Sequence, residues 1–358
     1  RQHPAATTAI DYLKSRGLSG EIATQFNIGF APPSWDHLKS AFANETNTKQ
    51  QLLDTGMIVK RDNNDHCYDR FRNRIMFPIR DPRGRVIGFG GRVIDTSQPK
   101  YLNSPESSVF HKGQELYGLY EARKANRNLS RLLVVEGYMD VVALSQFGIT
   151  YAVASLGTAI TPQHLKLIFR ATSEAVFCFD GDKAGRDAAV RALNHAMSAM
   201  HEGRQVRFMF LPEGEDPDSL IRQEGAQEFE RRLHGAMPLS QFFFEHLSQK
   251  ADISSLDGRA HLVKLAQPFL NLPDGIFRHM MLTELGKMAQ VDIAALQSAV
   301  GQVKSTPQRT KKKIRHEAGP KRSIVRHALT LLTQHPKLAE NVEDFNELKE
   351  SNLPGVKL

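Results

Sequence analysis

Cysteine is nearly absent from this chain: only Cys67 and Cys178 occur in 358 residues. Neither belongs to a Cys/His cluster, which argues against a structural zinc site here and for reduced thiols in a cytoplasmic protein. No apolar run approaches the ~18 residues of a membrane span and no secretory leader is visible, so no membrane partner is expected. Arg1 in place of an initiating Met is what an excised fragment would show. A hydrophobic content of 41% is enough for ordinary cores, and the length allows two or three domains.

The net charge of +8 is unevenly placed. Residues 60–131 and residues 304–322 each carry +7, which leaves −6 for everything else. A basic segment, a more acidic body and a basic tether suit a protein that holds polyanions on one surface and cations on another. Solvated surface charge is the plainer alternative, above all for the tether.

Short helices are expected over 7–16 and 19–24, around Gly17, and over 35–42 and 49–53, with Gly56 as a stop. Residues 74–80 and 85–94 read as strands joined by the turn Asp81-Pro82-Arg83-Gly84. On an extended backbone Arg70, Arg72 and Arg74 would share one face, a row that matches a phosphodiester backbone or a charge-protected sheet edge. Gly88-Phe89-Gly90-Gly91-Arg92 resembles a glycine loop but lacks a strand–loop–helix setting. The segment from Lys100 to Glu106, with Phe110-His111-Lys112-Gly113 beyond it, reads as a long loop. Lys100 and Lys112 would serve there as point charges for phosphates or as solvated loop lysines.

From Arg131 the pattern alternates strand and helix: strands over 132–135, 151–154, 175–179 and 205–210, helices over 138–147, 162–170 and 183–200. Short links between them imply a parallel sheet. Glu136 follows the first strand, Asp180-Gly181-Asp182 the third, and Glu215-Asp216-Pro217-Asp218 the last. Five carboxylates, Glu136, Asp180, Asp182, Asp216 and Asp218, are thus delivered to one sheet edge. Anions gathered this densely require a counter-charge, and a hard cation such as Mg²⁺ fits oxygen donors. Two competing explanations remain: Asx turns capping helices, and an ion-pair network of Lys183 and Arg186 with Asp182 and Asp187.

Glu136-Gly137-Tyr138-Met139-Asp140, Asp180-Gly181-Asp182 and Glu215-Asp216-Pro217-Asp218 resemble the successive motifs of the Toprim fold, shared by bacterial primases, topoisomerases and some nucleases. With the loops at 100–105 and 110–113 and the stretches 70–74 and 88–92, the resemblance narrows to the bacterial replicative primases and covers nearly all of residues 1–300. It implies an α/β chain: a Toprim-type parallel sheet domain between a mixed α+β basic N-terminal subdomain and a small helical C-terminal subdomain. The expected divisions are 1–130, 131–212 for the Toprim domain, 213–302 for an acidic-motif loop and helical subdomain, 303–322 for the linker, and 323–358 for a truncated start of a helicase-binding domain.

The resemblance further implies synthesis of short RNA primers on a single-stranded DNA template from ribonucleoside triphosphates, with an RNA–DNA hybrid as product. Its cofactor would be Mg²⁺ or Mn²⁺, two or more ions, with no zinc in this fragment. The replicative helicase and a zinc-binding domain would be partners in the intact enzyme. Asp180, Asp182, Asp216 and Asp218 would be metal ligands, and Glu136 a ligand or the acceptor of the hydroxyl proton. Asp140 would be a helix-start or supporting residue. Arg92, Lys100 and Lys112 would meet nucleotide phosphates, and Arg16, Arg70, Arg72 and Asn103 the initiating nucleotide or template. A Toprim nuclease acting through water at the same ions is the near alternative. A non-catalytic single-stranded DNA scaffold is the distant one, with no need for converging acids. Helical spacing returns over 239–247, 258–270, 275–288 and 292–300, where Phe242-Phe243-Phe244 reads as core.

Overall fold

The computed structural model describes residues 3–43, 45, 47–61, 66–270 and 272–296. The basic linker at 303–322 and the segment 323–358 lie outside them. The N-terminal part opens with α1 (Ala6–Ser15) and α2 (Gly20–Gln25), the second capped by Ser19, whose hydroxyl accepts from Ile22 N–H. There follow β1 (Gly29–Ala31), α3 (His37–Ala41), α4 (Thr48–Asp54), β2 (Ile58–Lys60), β3 (Cys67–Asp69), β4 (Arg74–Arg80), β5 (Val86–Val93), β6 (Tyr101–Asn103) and α5 (Leu119–Ala125). An antiparallel sheet runs β1-β4-β5-β6, and β2 pairs with β3 in a separate ribbon.

One expectation fails in this part and one holds. Arg70, Arg72 and Arg74 do not form a row on an extended strand: the chain turns between β3 and β4, and Asn73 takes a left-handed φ of 48°. Arg74 is instead buried, donating to the carbonyls of Gly91 and Pro99. The Gly88–Arg92 stretch is plain strand inside β5, and its glycines make room for rings. A Cβ on Gly90 would lie 2.5 Å from the Tyr138 ring, and one on Gly91 2.8 Å from Phe71.

The second part contains β7 (Arg131–Val135), α6 (Tyr138–Gln146), β8 (Ala152–Ala154), α7 (Pro162–Ala171), β9 (Glu174–Phe179), α8 (Lys183–Ala199), β10 (Gln205–Phe210), α9 (Pro217–His234) and β11 (Met237–Pro238). The sheet order is β11-β10-β9-β7-β8, with β7 to β10 mutually parallel and β11 an antiparallel edge. This is the parallel sheet that the alternating pattern predicts. The continuous apolar runs are explained by burial on both faces. Leu132, Val134, Phe177 and Phe208 enter one core with α7, α8 and the C-terminal helices. Leu133, Val135, Val176, Cys178 and Met209 enter another with Ile75, Phe77 and Ile79 of β4. That second apolar layer is continuous across residue 130.

Helix α9 escapes the sequence reading because its span is polar and carries Gly225 at φ 76°, which breaks it midway. Then come α10 (Leu239–Ser248), α11 (Leu256–Ala266) and α12 (Ile276–Ala289). Phe242 and Phe243 are buried, as core residues should be. The helix expected over 292–300 falls partly outside the described residues.

Candidate active site

The acids meet because of strand register. Val134 of β7 pairs with Phe177 of β9, which pairs with Phe208 of β10, so Glu136 stands level with Phe179 and one step short of Asp180 on neighbouring strands. Adjacent strands lie about 4.8 Å apart, which brings Glu136 and Asp180 within reach of one cation. Three helices start at this same edge. Asp182 caps α8, its Oδ1 accepting from Gly185 N–H at 2.7 Å, and Asp216 caps α9, its Oδ1 accepting from Ser219 N–H at 2.7 Å. Asp140, in the first turn of α6, accepts from Gly137 N–H at 3.0 Å. Capping and clustering therefore coexist: each cap uses one carboxylate oxygen.

Glycine is required between the two aspartates. A Cβ on Gly181 would lie 2.2 Å from the Leu211 carbonyl oxygen and 2.9 Å from Glu213 N, closer than any real contact. The turn after β9 is thus pressed against the backbone that leads into Asp216. We expect Gly181→Ala to cost about 2 kcal/mol in urea denaturation and to depress catalysis, because the 211–213 backbone must retreat. Unchanged stability would show that this contact is not maintained in solution.

The electrostatics report the convergence directly. Burial raises the Asp180 carboxyl above its ordinary range, and Asp182 and Asp216 push it further. Glu136 is raised by burial and then by Asp180 and Asp182, with Arg191 opposing. Asp140 is pushed up to about 8, first by burial and then by Asp216, against the Gly137 N–H, with Asp218 and Asp180 adding to the rise. Among the described residues no ion pair joins Lys183 or Arg186 to Asp182 or Asp187, and the Arg186 guanidinium lies 5.2 Å over the Phe210 ring. The network explanation therefore lapses.

Asp218 departs from the set. It is 2% exposed, its Oδ1 takes the Arg222 Nε–H at 2.7 Å, and its Oδ2 faces Arg16 at 3.5 Å. Both oxygens face guanidinium groups here, so the ligand role expected of it would require one of them to give way. Among the described residues no three or more His, Cys, Asp or Glu side chains close into a finished cage. What does fit a hard divalent ion is the donor set: carboxylate oxygens of Glu136, Asp180, Asp182 and Asp216 whose mutual repulsion a cation would relieve.

The basic side borders the acids. Arg92 is 5% exposed, its guanidinium 4.9 Å over the Tyr12 ring and 5.6 Å over Tyr101. Its Nε and Nη1 are buried without a hydrogen-bond partner, a costly state that an anionic ligand would resolve. Tyr101 is pushed up to about 12 by burial, opposed by Arg92 and reinforced by Asp140 and Asp216, which ties this face to the acid edge. Lys100 is exposed, its ammonium 6.0 Å from the Tyr101 ring. The Lys112 ammonium makes no ion pair among the described residues.

The weaker candidates are partly committed elsewhere. Asn103 joins the two halves: its Oδ1 accepts from Tyr138 O–H at 2.6 Å, and its Nδ2 donates to the Leu156 carbonyl at 2.9 Å. Arg70 donates to the Asn103 carbonyl at 3.2 Å, and Arg16 faces Asp218. Arg72 donates to the Asp69 carbonyl and stacks 4.0 Å over Trp35. The sequence pattern does not single out Trp35, which is 56% exposed, nor Tyr101, Tyr138 and Arg191. Tyr101 has a signal in its place beside Lys100 and Tyr138 in its place inside the Glu136–Asp140 motif; Trp35 and Arg191 have none outside the folded chain.

Acids on the carboxyl edge of a parallel sheet, beside an unsatisfied buried arginine, define a Toprim-type site for phosphate chemistry. Three family models match in sequence order: the DNA primase catalytic core N-terminal domain over residues 1–123, Toprim-like over 133–221, and the DnaB-helicase binding domain of primase over 240–294. The last match lies ahead of the 323–358 segment, where the resemblance places the truncated start of a helicase-binding domain. DNA primase of Escherichia coli K12 is 51% identical over the whole chain, which spans 61% of that relative. A DNA primase domain from Pseudomonas aeruginosa superposes with a TM-score of 0.82 at 50% identity, covering 84% of this chain and 94% of that one. The DnaG primase catalytic domain bound to ssDNA superposes at 0.76 with 56% identity, covering 80% and 92%. This chain belongs to the family of bacterial DNA primase catalytic cores.

Proposed function

We propose that this chain is the RNA-polymerising core of a primase, extending short RNA primers on single-stranded DNA from ribonucleoside triphosphates. The observation that carries this reading is the acid edge set directly against the Arg92–Tyr101 face. Divalent ions, Mg²⁺ or Mn²⁺, would supply the charge that stabilises the entering and departing oxygens of the transferred phosphoryl group. Glu136, Asp180, Asp182 and Asp216 would hold them. The raised pKa of Glu136 suits it to take a proton from the primer 3′-hydroxyl at its carboxylate oxygen. Arg92, with two unpartnered buried donors, and Lys112, as a mobile point charge, would neutralise the triphosphate. Trp35 and Arg72 would offer a stacking face to the template.

Partners follow the same logic. The match at 240–294 supports helicase contact through the C-terminal helices, and a zinc-binding domain would complete start-site choice in the longer protein. Among the described residues no helix is long and apolar enough to cross a membrane. We place the protein in the cytoplasm because a primase works where its template and ribonucleotides are.

Incubation with single-stranded DNA, ribonucleotides and Mg²⁺ tests the reading. New RNA is expected; shortened DNA would favour a nuclease, and neither product would favour a scaffold. Lys112→Ala is expected to raise the KM for ribonucleotides about tenfold, the size of one charge-assisted contact, while DNA affinity stays within twofold. An unchanged KM would remove Lys112 from the nucleotide site.

A further inference from the structure

The Lys112 turn is fastened from beneath by a side chain that nothing in the sequence singles out. His164 is 0% exposed, in the first turn of α7, on a different part of the fold from the loop it touches. Its Nδ1 lies 3.3 Å from Thr161 N–H, and its Nε2 lies 3.0 Å from the Lys112 carbonyl oxygen. A backbone N–H only donates and a carbonyl only accepts. The imidazole is therefore neutral, with its proton on Nε2.

Thr161 works beside it, its Oγ1 donating to the Gly113 carbonyl at 2.6 Å and accepting from His164 N–H at 3.1 Å. Above the turn, Glu106 Oε1 accepts from Lys112 N–H at 3.0 Å. The backbone of Lys112-Gly113 is thus held at three points, while the Lys112 ammonium closes no salt bridge among the described residues and acts on the Glu106 carboxyl only from a distance. Such an arrangement fixes where a flexible side chain starts and leaves its charged end to a ligand.

We infer that His164 is a positioning residue for the nucleotide site: by donating from Nε2 to the Lys112 carbonyl, it holds the Lys112 turn in register with the Toprim acid edge. The inference rests on Lys112 binding the nucleotide. His164 touches neither substrate nor reacting atoms, so its removal raises the KM for ribonucleotides and leaves kcat and DNA affinity near their original values.

Two near-isosteric variants separate this tie from the helix cap. Glutamine places its amide nitrogen near Nε2 and keeps the bond to Lys112; asparagine places its amide near Nδ1 and keeps only the Thr161 cap. We expect His164→Asn to raise the ribonucleotide KM about fivefold, the loss of one buried hydrogen bond, and His164→Gln to stay within twofold. Melting temperatures of both identify any general loss of packing. Added to Lys112→Ala, His164→Asn should raise KM no further, because both changes act through one side chain.

Equal KM values for the Asn and Gln variants, or an additive double mutant, would overturn the positioning role. Should Lys112→Ala alone leave KM unchanged, the nucleotide assignment falls and the inference falls with it. A raised KM for Lys112→Ala with a normal His164→Asn sinks the inference alone.

Discussion

Asp180→Asn should abolish primer synthesis and at the same time make the metal-free protein harder to melt. Asp180 sits where β9 ends, partly buried, with its carboxyl raised by desolvation and by the charges of Asp182 and Asp216. An amide of the same shape removes that repulsion, so the melting temperature rises without Mg²⁺. The same change removes an anionic oxygen from the edge where, on the proposed reading, Glu136, Asp182 and Asp216 would share a counter-charge. Losing several kcal/mol of transition-state stabilisation corresponds to a fall in rate of about 10³-fold. Gel-resolved RNA products and thermal melts, each with and without Mg²⁺, measure both effects. Near-normal RNA synthesis, or a lower melting temperature without metal, would contradict the role given to this residue.

The second large effect is a pH dependence of opposite sign to that of most carboxylates. Asp140 is pushed up to about 8 in the folded chain, whereas an unfolded aspartate titrates at about 3.9. Between these values the folded state holds more protons than the unfolded state. Stability of the metal-free protein therefore falls as pH rises through the window and levels off above about 8. A tenfold change in proton affinity between the two states corresponds to about 1.4 kcal/mol, so a drop of several degrees in melting temperature is expected between acidic and alkaline buffer. Mg²⁺ at millimolar concentration should flatten the slope, because a cation favours the charged acids. Asp140→Asn keeps an acceptor for Gly137 N–H and should flatten it without metal. A slope unchanged in that variant would mean that other groups set the pH dependence.

Much of this was legible in the residues because the parallel sheet is governed by local rules. Apolar runs buried on both faces, short links and acids placed just after strands fix register and edge together, so Glu136, Asp180, Asp182 and Asp216 could be brought to one place. Side chains with an alternative partner were not legible. Asp218 reads like its neighbours until Arg16 and Arg222 are seen on either side of it, and Arg16 is 202 residues away in sequence. The arginines of 70–74 alternate as a strand would, but Asn73 adopts a left-handed backbone, which asparagine tolerates, and breaks the alternation. The glycines of β5 mimic a phosphate loop because ring packing and phosphate approach both ask for a missing Cβ. Helix α9 was hidden by polarity and by Gly225.

The apolar layer shared by β4 and the second face of the parallel sheet bears on inheritance and engineering. Cut at residue 130, the acid-bearing half would keep α6 and α9 in this layer but lose Ile75, Phe77 and Ile79 of β4, which pack into it with Leu133, Val135 and Val176. Alone it should be less stable than within the whole chain, because part of a shared apolar layer is exposed. Grafts between distant relatives should be more stable when both halves travel together than when the acid-bearing half is moved by itself.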